Sequence, residues 1–262
     1  MSINQLVASL KAVVLASESP DDVRVKQLQR ALQEQGDASV DSLAGALRDP
    51  EVRVSEAAAD VLQAISSDRA DEVLVRYALG QLADPTGRTK IPGPGWRRLQ
   101  ALGKRALKFL IRAYGPDQPL QTRLSMIDLV RQIADPDGLL LLETALAEDD
   151  SRVVQVAAEA LGRIGSPDAF ERLLELLGSE NVQHRLGAIQ GLQELGNSAA
   201  VEPLLGLLLA EDEPYAVWWP SPTAGPHTIH HAARQAIDAL TAADFDGDVP
   251  RIRAWVQRHS PS

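Results

Sequence analysis

The chain has 262 residues, of which 45% are hydrophobic and 24% are charged, as in a globular protein with a sizeable core. Only 4% are aromatic, which disfavours a β-sandwich, and the absence of Cys excludes disulfides and thiolate metal sites. The net charge of −10 argues against a general affinity for nucleic acid, and we expect a cytoplasmic protein with neither a signal peptide nor a membrane span.

The first predicted elements are helices. Residues 1–36 are expected to form N-terminal capping helices, and residues 37–83 are expected to hold the first repeats. The second of these segments has apolar residues at the i, i+4 and i+8 spacing that places them on one helix face. These residues are Val54, Ala58 and Leu62. The same pattern recurs four more times downstream, which indicates a repeat protein.

The next segment, residues 84–116, interrupts the pattern. Its first part reads DPTGRTKIPGPG from Asp84 to Gly95, and its Pro and Gly content excludes a helix there. One long helix is expected to follow, from Trp96 to about Ala113. We therefore interpret this segment as a degenerate repeat whose first helix has become a loop.

The degenerate repeat also carries a concentration of positive charge. Residues 85–113 contain eight basic side chains and no acidic one. On one helix, six of them fall on or beside a single face opposite the apolar residues, and we call them the basic stripe. They are Arg97, Arg98, Lys104, Arg105, Lys108 and Arg112. Two interpretations stay open: the basic stripe binds an anionic ligand or acidic partner, or it is solvated or neutralised by acidic residues of adjacent repeats.

Residues 117–210 form three regular repeats of 31 residues, each predicted as a first helix, a Gly or Pro turn and a leucine-rich second helix. Each unit can bury its apolar stripe only by stacking on its neighbours, which predicts an α-solenoid. Arg123 and Arg185 occupy the same register position in two of these units. We expect such an Arg to pair with a carboxylate of the neighbouring repeat.

Residues 211–228 form an inserted loop where a short connection would suffice. Long loops with their own aromatic side chains are usually functional or packed as a cap. We call this segment the aromatic loop and expect it to bind a partner; the alternative is that its Trp residues cover exposed leucines of the last repeat. The residues expected to make the contacts are Tyr215, Trp218, Trp219 and His227.

Two features near the C-terminus resemble metal sites without meeting their requirements. His227 and His231 have an i, i+4 spacing, but His230 falls at a surface position of the repeat register, and no metal site is predicted. The acidic segment from Asp244 to Asp248 lacks the Gly and Glu positions of an EF-hand. We expect it to end one helix and cap the terminal helix within a C-terminal capping repeat of residues 229–262.

The recurring motif is an acidic residue or Asn, then V-(R)-x-x-A-A-x-A-L-G-x-I-G and a leucine-rich helix. It resembles HEAT-like repeats of the short prokaryotic kind, including those of phycobilisome lyase subunits, over residues 37–243. The resemblance implies an all-α fold, an α-solenoid of stacked antiparallel helix pairs forming a single domain over residues 1–262. Proteins with this repeat include scaffolds, chromophore lyase subunits, deoxyhypusine hydroxylases and alkylpurine DNA glycosylases.

No catalytic motif accompanies the repeats. The sequence has no dinucleotide fingerprint, phosphate-binding loop or nucleophile elbow, and it lacks the His-Glu pairs through which deoxyhypusine hydroxylases bind iron. The sequence therefore favours a non-catalytic scaffold or adaptor, without a cofactor, that binds a protein, acidic proteins included. Its contacts are expected on an inner surface formed by the second helices, on the basic stripe and on the aromatic loop. Two alternatives stay open: a tetrapyrrole (bilin) lyase or chaperone-like subunit, and nucleic-acid binding through the basic helix 96–112.

Overall fold

The computed structural model describes residues 1–17, 19, 21–82, 93–209 and 229–259. These ranges hold fifteen α-helices and no β-strand. The helices are α1 (Ile3–Ala16), α2 (Val23–Glu34), α3 (Val40–Ala46), α4 (Val52–Ile65), α5 (Asp68–Leu82), α6 (Pro94–Leu102), α7 (Lys104–Ala113), α8 (Leu120–Ile133), α9 (Leu139–Leu146), α10 (Ser151–Ile164), α11 (Pro167–Leu177), α12 (Val182–Leu195), α13 (Val201–Leu209), α14 (Ile229–Thr241) and α15 (Val249–His259). None of them has the length and apolar character needed to cross a membrane.

The helices belong to two compact units, Met1–Ala113 and Tyr114–Ser262. In the second unit the first helices of successive repeats, α8, α10, α12 and α14, pack side by side. The second helices α9, α11 and α13 each pack against the first helix that follows. This arrangement of stacked helix pairs confirms the predicted all-α solenoid fold; the extent of one domain over residues 1–262 stays a prediction.

The repeat motif corresponds to helix caps. The side chains of Asp150 and Asn181 accept hydrogen bonds from the backbone N–H groups two residues later, at 3.0 and 2.9 Å, and so begin α10 and α12. Gly165 and Gly196 end the same helices with φ angles of +71° and +72°, where a side chain would be strained. Ala134 occupies the equivalent position after α8 with a φ of +51° despite its Cβ.

Small residues bring α10 and α12 into close contact. A Cβ atom added to Gly162 would lie 2.0 Å from the carbonyl oxygen of Gly191, and one added to Gly191 would lie 2.4 Å from that of Ala158. One added to Gly187 would meet the Cα of Gln155 at 2.8 Å. The two helix backbones therefore touch, and no larger residue fits at these positions without moving them apart.

The prediction of one long helix from Trp96 to Ala113 is wrong. The segment forms two helices, α6 and α7, which are separated by Gly103. Gly103 has φ +53° and ψ −131°, a conformation that residues with a Cβ rarely adopt. The apolar residues keep helical spacing across the break, with Leu99 and Leu110 buried on either side of it, so the spacing does not reveal the break.

The N-terminal part of the chain follows the repeat pattern more closely than expected, and the C-terminal part has its predicted helix cap. Residues 23–46, which reach back into the predicted capping segment, form a helix, a short 3-10 helix and a second helix. This is also the form of residues 120–146. At the C-terminus the side chain of Asp248 accepts a hydrogen bond from the N–H of Arg251 at 3.1 Å, which confirms the predicted cap of the terminal helix.

Candidate interaction surfaces

The basic stripe does not lie on one exposed face, because Arg98 points into the first unit. Arg98 is only 8% exposed, and its guanidinium donates to carboxylate oxygens of Glu56 and Asp60 on α4, the latter at 2.9 Å. Burial opposes the positive charge of Arg98, but these bonds outweigh that effect and raise its pKa. Arg98 is thus an internal cation held by α4, and not the surface residue that we expected.

Two further members of the basic stripe are paired with carboxylates of α5. Arg105 donates to both oxygens of Asp71, with its Nε 2.9 Å from Oδ2, and Asp71 is only 3% exposed. Lys108 Nζ lies 2.5 Å from Asp68 Oδ1 and 5.0 Å from the centre of the Phe109 ring. Neutralisation by neighbouring helices is therefore the interpretation that holds for these two residues and for Arg98.

The other three members, Arg97, Lys104 and Arg112, are exposed. They are divided between two helices, since Gly103 separates α6 from α7. No uninterrupted helix of 96–112 exists to present all six cations together.

The aromatic loop lies outside the described residues, and so do its predicted contact residues, Tyr215, Trp218, Trp219 and His227. His230 and His231 lie in the first turn of α14 and are partly exposed. Within the described residues, no three His, Cys, Asp or Glu side chains come together as a metal site would require.

The recurring Arg residues stabilise turns. Arg123 forms an ion pair with Glu148, which also accepts a hydrogen bond from the hydroxyl of Tyr114. Burial raises the pKa of Tyr114 to about 12, although the nearby charge of Arg123 opposes the rise. Arg185 instead donates to the carbonyl oxygens of Ser179 (2.6 Å) and Glu180 (3.2 Å) in the turn before its own helix. Glu148 lies in the turn between α9 and α10, where the unit of Arg123 meets the next one, and the carboxylate partner expected for Arg185 stays a prediction.

A polar groove lies over the first helices α8, α10 and α12 of the second unit. Its volume is about 490 Å³. The residues that line it are Arg131, Glu159, Gln190, Gln193 and Glu194. The groove is thus formed by first helices, whereas we expected the contact surface on the second helices. The close approach of α10 and α12 at their glycines sets the spacing of the side chains along it.

Glu159 is the least exposed acid of this groove. It accepts a hydrogen bond from Gln155 Nε2 at 3.2 Å, and the same nitrogen lies 3.2 Å from Gln190 Oε1. Burial raises the pKa of Glu159, the charge of Glu194 adds to the rise, and Gln155 and Arg131 oppose it. The groove therefore offers amide groups that donate or accept hydrogen bonds, beside carboxylates that are incompletely neutralised.

The sequence contains a signal for this groove that is separate from the repeat motif. Gln155 and Glu159 have an i, i+4 spacing, as do Gln190 and Glu194, so each pair lies on one face of its helix. Next to each pair runs a stripe of Ala or Gly at the same spacing. Small residues beside polar ones on two consecutive first helices indicate helices in close contact, with a polar surface above them.

The comparisons with known proteins concern the repeats. A family model for HEAT repeats matches residues 107–183 and 139–219. A search of the curated proteins found no match to the chain.

Three solved structures are among those similar to the chain. An engineered protein of the Northeast Structural Genomics Consortium is 17% identical, with 100% of this chain and 75% of that chain covered and a TM-score of 0.40. The complex of CpcE and CpcF of phycocyanin lyase from Nostoc sp. PCC7120 is 20% identical, with 92% and 95% covered and a TM-score of 0.33. A designed armadillo repeat protein is 15% identical, with 91% and 100% covered and a TM-score of 0.35.

Proposed function

We propose that this chain, which carries HEAT repeats, is a non-catalytic protein-interaction scaffold or adaptor. We further propose that the groove over α8, α10 and α12 is one of its binding surfaces. The observation that carries the proposal is the groove itself, which is open and polar, has a volume of about 490 Å³ and spans three consecutive first helices. Stacked repeats are stabilised by their buried faces, so the side chains of such a surface are available for recognition.

The groups that line the groove suit a polar segment of another protein. Gln190 and Gln193 are exposed, and each carboxamide can donate and accept hydrogen bonds, as a partner backbone requires. Both project from α12, whose backbone is in contact with that of α10, so binding does not require these helices to order first. The predicted contact surface of the scaffold thereby moves from the second helices to the first helices of the second unit.

We also propose partner contacts on part of the basic stripe and on the aromatic loop. Arg97, Lys104 and Arg112 of the basic stripe are exposed and stay proposed partner contacts. The aromatic loop, with Tyr215, Trp218, Trp219 and His227, also stays a proposed contact.

Site-specific photo-crosslinking tests the groove. A benzophenone amino acid is placed at Gln193, in the groove, or at Glu171, an exposed residue of α11 that serves as the matched control. In cells of the native host, we expect Gln193 to capture a small set of proteins that Glu171 does not. The double variant E159K/E194K should lose at least tenfold of that yield without a change in circular dichroism. Equal captures at both positions, or a yield unchanged by E159K/E194K, would contradict the proposal.

The same purified chain tests the two alternative functions. A visible absorption change on adding a bilin would favour the tetrapyrrole-handling class. Retention of an oligonucleotide on a filter at about 50 mM salt would favour nucleic-acid binding, because phosphate contacts are strongest at low salt. We expect neither result.

A further inference from the structure

The first unit contains a separate, smaller hollow between the second helix α3 and the second helix α5. Its volume is about 180 Å³. The residues that line it are Ala44, Leu47, Arg48, Val73, Arg76 and Tyr77. Liquid water occupies about 30 Å³ per molecule, so the hollow admits one or two side chains but no folded element.

The floor of the hollow is apolar and firmly held. Leu47 is only 7% exposed and forms part of the core, and Ala44 and Val73 are half-buried beside it. The hydroxyl of Tyr77 is bonded to Ser55 Oγ at 3.1 Å and to a carboxylate oxygen of Glu56 at 3.3 Å. These bonds fix the Tyr77 ring, so the hollow exists before any ligand enters it.

Two guanidinium groups stand on the rim of this apolar floor. Arg48 is exposed, and its guanidinium has no ion pair or hydrogen bond within the part of the chain that the structure describes. The Arg76 side chain is 77% exposed, and its one ion pair among the described residues is with Glu72, one turn earlier on α5, at 3.0 Å. Exposed pairs of this kind are weak, so Arg76 can turn to a better acceptor. The nearby Asp41 is held by Arg69 at 2.7 Å.

We infer that this hollow binds an acidic segment of a partner protein, with one apolar side chain inserted against Leu47 and Val73 and with carboxylates on Arg48 and Arg76. Guanidinium groups bind carboxylates through paired hydrogen bonds, while the apolar floor excludes water around them. A bare phosphate backbone would leave this floor unfilled, and the combination therefore favours an acidic peptide over a nucleic acid. The inference rests on the proposed scaffold function and names one class of its partners.

Peptide titration of the full-length, isotope-labelled chain by NMR tests the site. The probe is the acetylated, amidated peptide Glu-Asp-Leu-Glu-Asp, and the comparison peptides replace its Leu by Ser or its acids by Lys. We expect the probe to shift the backbone amide signals of residues 44–48 and 73–77 in a saturable way. The Ser peptide should bind at least fivefold more weakly, and the Lys peptide should cause no saturable shift.

Charge-reversal variants complete the test. R48E/R76E should weaken probe binding at least tenfold, whereas R30E, which reverses an exposed Arg on α2 of the same unit, should leave it within twofold. An undisturbed circular dichroism spectrum checks that each variant is folded. The inference is overturned if the wild-type chain shows no saturable shifts at residues 44–48 and 73–77, or if R30E weakens binding as much as R48E/R76E. Displacement of the probe by a single-stranded oligonucleotide, from the same residues, would overturn it as well.

The outcome is separable from that of the groove experiment. Crosslinking at Gln193 reports on the second unit and is independent of Arg48 and Arg76. Loss of this hollow as a site would therefore leave the proposed function standing, and failure at Gln193 would leave the peptide titration interpretable.

Discussion

Replacing Arg105 by Met tests whether the basic stripe holds the fold together or serves a partner. Met retains much of the aliphatic stem but removes the guanidinium that donates to both oxygens of Asp71. The Asp71 side chain is only 4% exposed, so the substitution leaves a buried carboxylate without its charge partner. We expect the variant to fold with a clear loss of stability.

The size of the loss follows from the burial of the two partners. Removing one member of a fully buried ion pair lowers stability by about 3–5 kcal/mol. The Arg105 side chain is 39% exposed, so water reaches one side of this pair and the effect is smaller. We expect a decrease of about 2–3 kcal/mol in the free energy of unfolding. For a chain of this size, such a decrease lowers Tm by about 4–12 °C.

Urea unfolding followed by circular dichroism measures the effect, with R97M as the matched control. Arg97 is an exposed cation of the same stripe, and R97M should change stability by less than about 0.5 kcal/mol. The double variant R105M/D71L removes both charges and should recover most of the loss, since no buried charge is left unpaired. If R105M lowers the free energy of unfolding no more than R97M does, the reasoning is refuted. Arg105 would then be free to bind a partner without loss of stability.

Three further predictions concern backbone conformation, helix packing and a buried hydroxyl. Ala134→Gly should raise the free energy of unfolding by about 0.5–1 kcal/mol, because Ala134 has a φ of +51°, where a Cβ is unfavourable. Gly165→Ala, at a φ of +71°, should lower the free energy of unfolding by about 1–2 kcal/mol in the same urea assay. Gly191→Ala should lower stability by about 1–3 kcal/mol, because its Cβ would lie 2.4 Å from a carbonyl oxygen of α10. Gly206→Ala, whose Cβ would have nothing within 4 Å, should be neutral or stabilising. Thermal melts of the two variants measure the difference. The folded-state pKa of Tyr114, about 12, lies above its ordinary value of 10. The contribution of Tyr114 to the free energy of unfolding is therefore complete below pH 10 and is lost as the pH rises towards 12. Absorbance at 295 nm should show a tyrosine that titrates late and is missing in Tyr114→Phe.

The repeat architecture could be predicted from the sequence because each motif position has a local physical cause. Asp150 and Asn181 are helix caps, and Gly165 is the left-handed residue that ends a helix. These roles depend on neighbours within a few residues, so one sequence suffices to recognise them. Where the same role falls on Ala134, the motif weakens but the conformation persists, because the packing of the repeat determines it.

The candidate sites could be predicted less well because they depend on partners far along the chain. The sequence showed that Arg98 and Arg105 are basic, but the distances to Glu56 and Asp71 arise only when α6 and α7 pack near α4 and α5. Gly103 also misled the prediction, since a single Gly inside a helical pattern is usually tolerated. The polar groove could not be predicted from the repeat spacing alone, because its position depends on the contact between the first helices α10 and α12.

The structure changes what the local positive charge means for recognition. The carboxylates of Asp68 and Asp71 on α5 face Lys108 and Arg105, so these two positive charges of the degenerate repeat are neutralised within the first unit. A cation held by a nearby carboxylate contributes little to the field that an approaching partner meets, because the pair acts as a dipole. The cations that remain available are defined by exposure and by the absence of such a partner, and they need not lie where basic residues are densest. Arg48 meets both conditions and stands beside an apolar hollow, which is why the acidic partner segment is assigned to α3 and α5.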